Sequence, residues 1–310
     1  MKRMIFWFVI GALVALAVLV VLRLGPQGGE GSTTGGRLKV SASFYTMAEF
    51  ARRVGRDKVD VTTIIPPGVE PHDYDPTPQD IATVHDSKVF IYNGASLELW
   101  AVKLRDELKS DGITVVRASN GINLIPGSEE GEDKSTYDPH VWLDPVLAQQ
   151  EVDNIRDGLI KADPADKQTY VQNAKAYNEK LAILDTAFRS SLAECSRRDI
   201  ITSHQAFKYL GNRYHLDVLA ISGLSPDEEP SPQKLAEVTQ FARQHDIHYI
   251  FFEKLVNPKL SQAIASEVGA KTLVLDPLEG LAQDEINQGK DYLSVQRENL
   301  ANLRAALNCS

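Results

Sequence analysis

Only two cysteines occur in the 310 residues, Cys195 and Cys309. With none before position 195, a lipid on a cysteine just behind an N-terminal apolar run is excluded. No HExxH sequence occurs, which removes the helix-borne signature of one large class of zinc hydrolases. Basic stripes are also missing, and the formal net charge is −9, so no nucleic-acid partner is expected. A mildly acidic surface suits a protein that collects cations, and it suits simple solubility equally well. The apolar and charged fractions are those of an ordinary globular protein, and the length suffices for two domains with their own cores.

One long hydrophobic run is present. Residues 4–22 carry no charge and follow Lys2 and Arg3. About 20 apolar residues span a bilayer as a helix, and basic residues ahead of the run keep that end in the cytoplasm. Ala15-Leu16-Ala17 resembles a cleavage site but lies inside the run, so an uncleaved anchor over 1–24 is the expectation. Residues 25–36, GPQGGEGSTTGG, are half glycine and read as a flexible tether of roughly 20 Å. The rest of the chain is then extracytoplasmic, at the cell surface or in the periplasm. There the two cysteines can oxidise, and a disulfide pinning the C-terminal tail is expected.

Four β-rich runs, 38–43, 59–65, 89–93 and 113–118, alternate with helical stretches such as 47–54 and 96–109. The second half repeats the pattern, with runs at 200–202, 216–220, 249–252 and 272–275 and helices over 205–213, 232–245 and 259–268. Such alternation predicts βαβ units and parallel sheets, an α/β fold in two lobes. Between them, Asp163-Pro164 opens a stretch without glycine or proline as far as Cys195. Tyr170, Ala174, Tyr177, Leu181, Leu184, Phe188 and Leu192 recur there every three or four residues, the stripe of an amphipathic helix about 45 Å long. The expected division is an N-terminal lobe over 37–160, a linking helix over 161–194 and a C-terminal lobe over 195–310.

Three of the seven histidines share a setting. His72 follows a predicted strand in PPGVEPHDYDPTP, His140 lies in YDPHVWLDP, and His204 lies in ITSHQAF at a strand end. Asp276, in VLDPL, also stands at the carboxyl end of a strand, where open α/β sheets bind ligands. Two of the four come from each half, so a shared site would lie between the lobes. Three imidazoles and one carboxylate form an N3O set suited to tetrahedral zinc. Glu70, Asp75, Glu229 and Glu253 are candidate supporting acids. His85, His215, His245 and His248 are read as non-ligating.

The motifs PHDYDPTPQD, DPHVWLDP, TSHQAFKYL, EPSPQKLAEV, IFFE and LDPL together resemble one family over residues 37–310. That family is the cluster A-I (cluster 9) solute-binding proteins of zinc and manganese ABC importers, the ZnuA/TroA-like group. The resemblance implies two lobes, each with a four-stranded parallel sheet, joined by one long backbone helix, with the metal between them. It maps the ligands to His72, His140, His204 and Asp276. It implies an ABC permease and its ATPase as partners, a monomer, and no enzymatic activity. Two departures stand out. The lipid-bearing cysteine of many members is missing. The stretch before the second ligand, GSEEGEDKSTYD, is short and acidic where zinc-specific members often carry a histidine-rich loop. Manganese-type members tend to have glutamate where His204 stands, so His204 favours Zn2+ over Mn2+ or Fe2+. A zinc hydrolase is the rival of another class, and Asp276 argues against it by filling the position a catalytic water needs. No sequence feature supports a separate adhesin role.

Overall fold

Hydrophobic strands that read as near-continuous apolar runs must be covered on both faces, and this chain covers them with helices. The structure, a computed structural model, describes residues 36–127 and 136–309. The first half contains β1 (Leu38–Ala42), α1 (Tyr45–Gly55), β2 (Val59–Thr63), α2 (Pro78–His85), β3 (Val89–Tyr92), α3 (Leu99–Ser110) and β4 (Thr114–Arg117). Two long helices follow, α4 (Pro145–Ala162) and α5 (Lys167–Ser191). The second half contains β5 (Asp199–Thr202), α6 (Lys208–Tyr214), β6 (Asp217–Ala220), α7 (Pro232–Gln244), β7 (Tyr249–Phe252), α8 (Lys259–Val268) and β8 (Lys271–Val274), then α9 (Gln283–Asn287) and α10 (Tyr292–Leu307).

All strand pairs are parallel, and both four-stranded sheets have the same order: β2-β1-β3-β4 and β6-β5-β7-β8. Each order reverses beside its first strand, which opens a crevice at the carboxyl ends. Ala42 pairs with both Thr63 and Ile91, so β1 and its two neighbours end level there. The Val-Phe-Ile-Tyr run of β3 is buried throughout, as a central strand covered on both faces requires.

The sequence predicts a single rod from Asp163. Instead Pro164–Asp166 forms one 3₁₀ turn and α5 begins at Lys167. Its 25 residues make a helix of about 37 Å. The Tyr170 hydroxyl donates to Asp163 Oδ2 at 2.7 Å and ties the turn down. The expected stripe is buried, from Tyr170 through Ala174, Tyr177, Leu181, Leu184 and Phe188 to Leu192. Asn173 joins it by donating to Val54 O at 2.9 Å. One connected apolar core runs from Val40 in β1 through this stripe to Leu307 in α10. Smaller clusters sit behind β3 and behind β7.

Bonds also cross between the halves near the sheet ends. Trp142 Nε1 donates to Pro277 O at 2.7 Å, and the Thr46 hydroxyl donates to Leu278 O. The expected anchor over 1–24 and the tether, save Gly36, lie outside the described residues, as does most of the acidic stretch before His140. Among the described residues no helix is long and apolar enough to cross a membrane.

Cys195 and Cys309 are joined in a disulfide across 114 positions. Arg197 N–H also donates to Leu307 O at 3.2 Å, so the tail is held by backbone as well. Closing a loop of that length in the unfolded chain is worth at most about 5 kcal/mol by chain entropy. Cys195→Ser with Cys309→Ser should therefore lower the unfolding free energy by about 3 kcal/mol in urea titrations while leaving the native circular dichroism unchanged. A loss under about 0.5 kcal/mol would show that the tail is already held without the bond.

Candidate metal centre

The loop ends at the carboxyl side of both sheets are shaped by prolines and carboxylates. Pro66 and Pro67 stop the chain after β2, since proline supplies no N–H to the ladder. Gly68, at φ +79°, turns the chain and donates its N–H to Leu281 O at 3.0 Å. Glu70 Oε1 then accepts from His72 N–H at 3.0 Å. His140 closes Asp138-Pro139-His140, and Asn93 Nδ2 donates to Pro139 O at 2.9 Å to fix that segment. His204 follows β5 directly. Glu279 is delivered by a turn after β8. Asp276 Oδ1 accepts from Leu278 N–H at 2.9 Å, and Leu278 adopts φ 58°.

These four segments aim four atoms at one point. His140 Nε2 lies 3.2 Å from His72 Nε2, 3.2 Å from His204 Nε2 and 2.9 Å from Glu279 Oε1. Glu279 Oε1 is 3.1 Å from His72 Nε2 and 3.4 Å from His204 Nε2. A tetrahedral zinc ion with ligands at about 2.0–2.1 Å has ligand–ligand edges of about 3.3 Å. The donor set and its spacing fit such an ion.

The other ring nitrogens set the tautomers. His140 Nδ1 lies 2.8 Å from Asp138 Oδ1, and His204 Nδ1 lies 2.7 and 2.8 Å from the two Glu253 oxygens. A carboxylate accepts only, so Nδ1 carries the proton and the Nε2 lone pair is left facing inward. Lone pairs held about 3 Å apart repel unless a cation or proton lies among them. His140, His204 and Glu279 are buried, and His72 is nearly so.

The electrostatics divide accordingly. Burial works against a charge on every imidazole. In His72 burial prevails over the attraction of Glu279, and the pKa falls. In His140 burial is outweighed by hydrogen bonds to Asp138 and Glu279, and the pKa rises. In His204 burial is outweighed by the charges of Glu253 and Glu279, which hold the pKa well above the ordinary histidine value. Burial would raise Glu279, but His204 and His72 hold it well below the carboxylate range. Glu70 is pushed up to about 9 by burial and by Glu279, so Glu70 keeps its proton at neutral pH and Glu279 carries the charge.

Three of the four residues named from the sequence, His72, His140 and His204, are brought together. Asp276 is not among the converging atoms. Its Oδ1 is spent on Leu278 N–H, its Oδ2 lies 3.6 Å from Lys254 Nζ, and Asn299 brackets its backbone. Glu279, three positions on, takes the place expected for it. Of the supporting acids, Glu253 and Glu70 stand beside the imidazoles, whereas Asp75 and Glu229 make no hydrogen bond or ion pair with the group. Asp138 was missed, although its place two residues before a histidine and ahead of proline signals a turn that can return a carboxylate to the ring. The remaining histidines have other partners. His85 lies 3.0 Å from Asp111, His245 3.0 Å from Asp199 and His248 3.2 Å from Asp246, while His215 caps α6 at φ 59°.

Two parallel α/β sheets with a buried trihistidine–glutamate cluster at their carboxyl ends define a two-lobed metal-binding protein. The chain belongs to the ZnuA family, the periplasmic zinc-uptake complex component A, which matches residues 40–306. It is 40% identical over 305 residues to the high-affinity zinc uptake system protein ZnuA of Bacillus subtilis, covering 95% of this chain and 96% of that one. It is 38% identical to the zinc-binding lipoprotein AdcA of Streptococcus pneumoniae across 87% of this chain, but spans only 56% of AdcA. Among solved structures, the Zn(II)-bound ZnuA-like domain of that AdcA superposes with a TM-score of 0.78 at 38% identity, covering 88% of this chain and all of the domain. The laminin-binding protein Lmb of Streptococcus agalactiae, a bifunctional protein with adhesin and metal-transporting activity, gives 0.80 at 36% identity, covering 87% of this chain and 99% of that one.

A metal entering this cluster must displace protons. The raised pKa values of His140 and His204 mean that both hold protons at pH 7 more often than a free imidazole, whose pKa is about 6.5. Affinity should therefore begin to fall above about pH 6.5 and drop steeply below it, with more than one proton taken up. Calorimetric titration of Zn2+ across pH 5 to 8, in buffers of different ionisation enthalpy, checks this. A Kd constant over that range would mean that the imidazoles do not bind the ion.

Proposed function

We propose that this chain captures Zn2+ outside the cytoplasm and hands it to an ABC permease driven by its ATPase, with His72, His140, His204 and Glu279 as ligands. The observation that carries the ligand set is the convergence of three Nε2 atoms and one carboxylate oxygen, all within 4.8 Å of one another. Three neutral nitrogens and one anionic oxygen favour zinc over manganese or iron, which seek more oxygen. Membership of a zinc-uptake family and the zinc-binding names of close relatives support the same cargo. Transport rather than catalysis fits a cluster whose four donors already complete a tetrahedron, because a zinc hydrolase keeps one position for water.

The wider assignment follows from the sequence. Residues 1–24 anchor the protein, 25–36 tether it, and one monomer presents its metal site to the permease. The lobes are 37–160 and 195–310, with 161–194 as the link. The placement of one sheet before α5 and one after it supports that division.

The ligand set is tested by separating the two acids. Glu279→Ala should weaken Zn2+ binding at least about 100-fold, ~2.7 kcal/mol. Asp276→Asn keeps the acceptor for Leu278 N–H and should change affinity less than about threefold. The reverse result would return the fourth ligand to Asp276.

The choice of metal is tested at the third histidine. His204→Glu turns N3O into N2O2, and the ratio of zinc to manganese affinity should shrink at least about tenfold, ~1.4 kcal/mol. His215→Glu is the control, since His215 only caps α6, and should leave the ratio unchanged. An equal shift in both variants would mean that added surface charge, not coordination, sets the ratio.

A further inference from the structure

A cavity of about 600 Å³ opens between α1, the loop after β2 and the segment following β8, and it touches Glu279. Small-molecule sites span about 300–1,000 Å³ and are mostly apolar, with a few placed polar groups. This cavity has that character. Ile65, Val69, Leu281 and Ile286 supply apolar wall, and Tyr45 and Arg52 face it from α1. The latter two are seven residues apart, two helical turns, and so share one face.

Each polar group has a donor to offer, one buried and one exposed. The Tyr45 hydroxyl is buried and makes no hydrogen bond among the described residues. Arg52 has no carboxylate at ion-pair distance among them. Its Nη2 donates only to neutral acceptors, Val61 O at 3.1 Å and Thr63 Oγ1 at 3.0 Å. The other cations on the wall are already matched. Arg53 pairs with Glu49 and Asp291, both at 2.8 Å, and Lys290 pairs with Glu298 at 2.8 Å. One exposed guanidinium without a carboxylate partner and one buried hydroxyl without a hydrogen bond therefore stand on one helix face at an apolar cavity.

We propose that this cavity binds a small anionic amphiphile, with a carboxylate accepting from Arg52 and Tyr45 and an apolar body against Ile65, Leu281 and Ile286. The guanidinium offers a planar pair of donors that suits a carboxylate, and the apolar wall rejects fully hydrophilic anions. Because the walls come from both halves of the chain, the occupant braces them together. The inference rests on this cavity alone and not on the metal ligands.

The probe is 4-phenylbutyrate, with its amide as the uncharged counterpart, titrated calorimetrically into the full chain. The acid should saturate one site with Kd below about 1 mM, and the amide should bind at least about tenfold more weakly. Arg52→Gln should weaken the acid at least about tenfold. Ile286→Asp, at an exposed position outside the core, should do the same by setting an anion on the wall. If Arg52→Gln fails to fold, the amide and Ile286→Asp decide. No saturable binding overturns the proposal, as does equal affinity for acid and amide or for wild type and Ile286→Asp.

Discussion

Three lone pairs and one anionic oxygen are forced to share a space scarcely larger than an ion, and much of the surrounding structure exists to keep them there. Left alone, the imidazoles would turn their N–H groups inward and relieve the repulsion. Asp138 and Glu253 prevent this by accepting from Nδ1 of His140 and His204, which commits each Nε2 to the centre. The acids are in turn held by what they terminate. Glu253 follows β7, and Asp138 leads the segment that Asn93 fastens through Pro139. The requirement for inward lone pairs is thus passed outward to strand ends whose position the two sheets fix.

Burial makes the arrangement consequential. A charge placed among these groups is weakly screened, so a divalent ion gains from Glu279 far more than it would in water, while an unpaired carboxylate there is costly. Glu70 shows how that cost is limited. Burial, and then the charge of Glu279, push its pKa up to about 9, and it therefore adds a hydrogen-bonding group that carries no negative charge of its own. Among the four converging atoms, one carboxylate oxygen supplies the negative charge.

How much of this could be read from the sequence depended on how far each feature is a local matter. All eight strands were legible, because β-branched and aromatic runs bounded by turn residues leave few alternatives, and each observed strand lies within a residue or two of the expected one. The linking helix was legible as a stripe but not at its start. Asp163-Pro164 marks a helix opening in sequence, yet the chain spends one 3₁₀ turn there because α4 must first reverse into α5. The helix α2 was overlooked although Thr77 and Asp80 form a full capping box around Pro78. His72 and His204 were legible from their place beyond strand ends, and His140 from its DPHVWLDP segment ahead of the long helices. The fourth position was not, because Asp276 and Glu279 both follow β8 and only the turn decides between them. An aspartate before proline is a strong turn former, and its carboxylate is drawn to the backbone N–H two residues on. That reason favours Glu279 in hindsight, but it needs the Leu278 conformation to be known.

The same geometry bears on how a fold of this kind changes its metal. Position 204 has the look of a simple switch, nitrogen for zinc and oxygen for harder ions. In this chain His204 also gives its Nδ1 proton to both oxygens of Glu253, and that acid is buried behind it. A glutamate at 204 has no proton to give. It would face Glu253 on one side and Glu279 on the other, so it joins the ligands only against the repulsion of two nearby carboxylates, which costs affinity for any ion. Selectivity is therefore written in the pair His204–Glu253 rather than in one residue. A chain of this family that binds through oxygen at position 204 avoids that cost by replacing or neutralising the acid behind it.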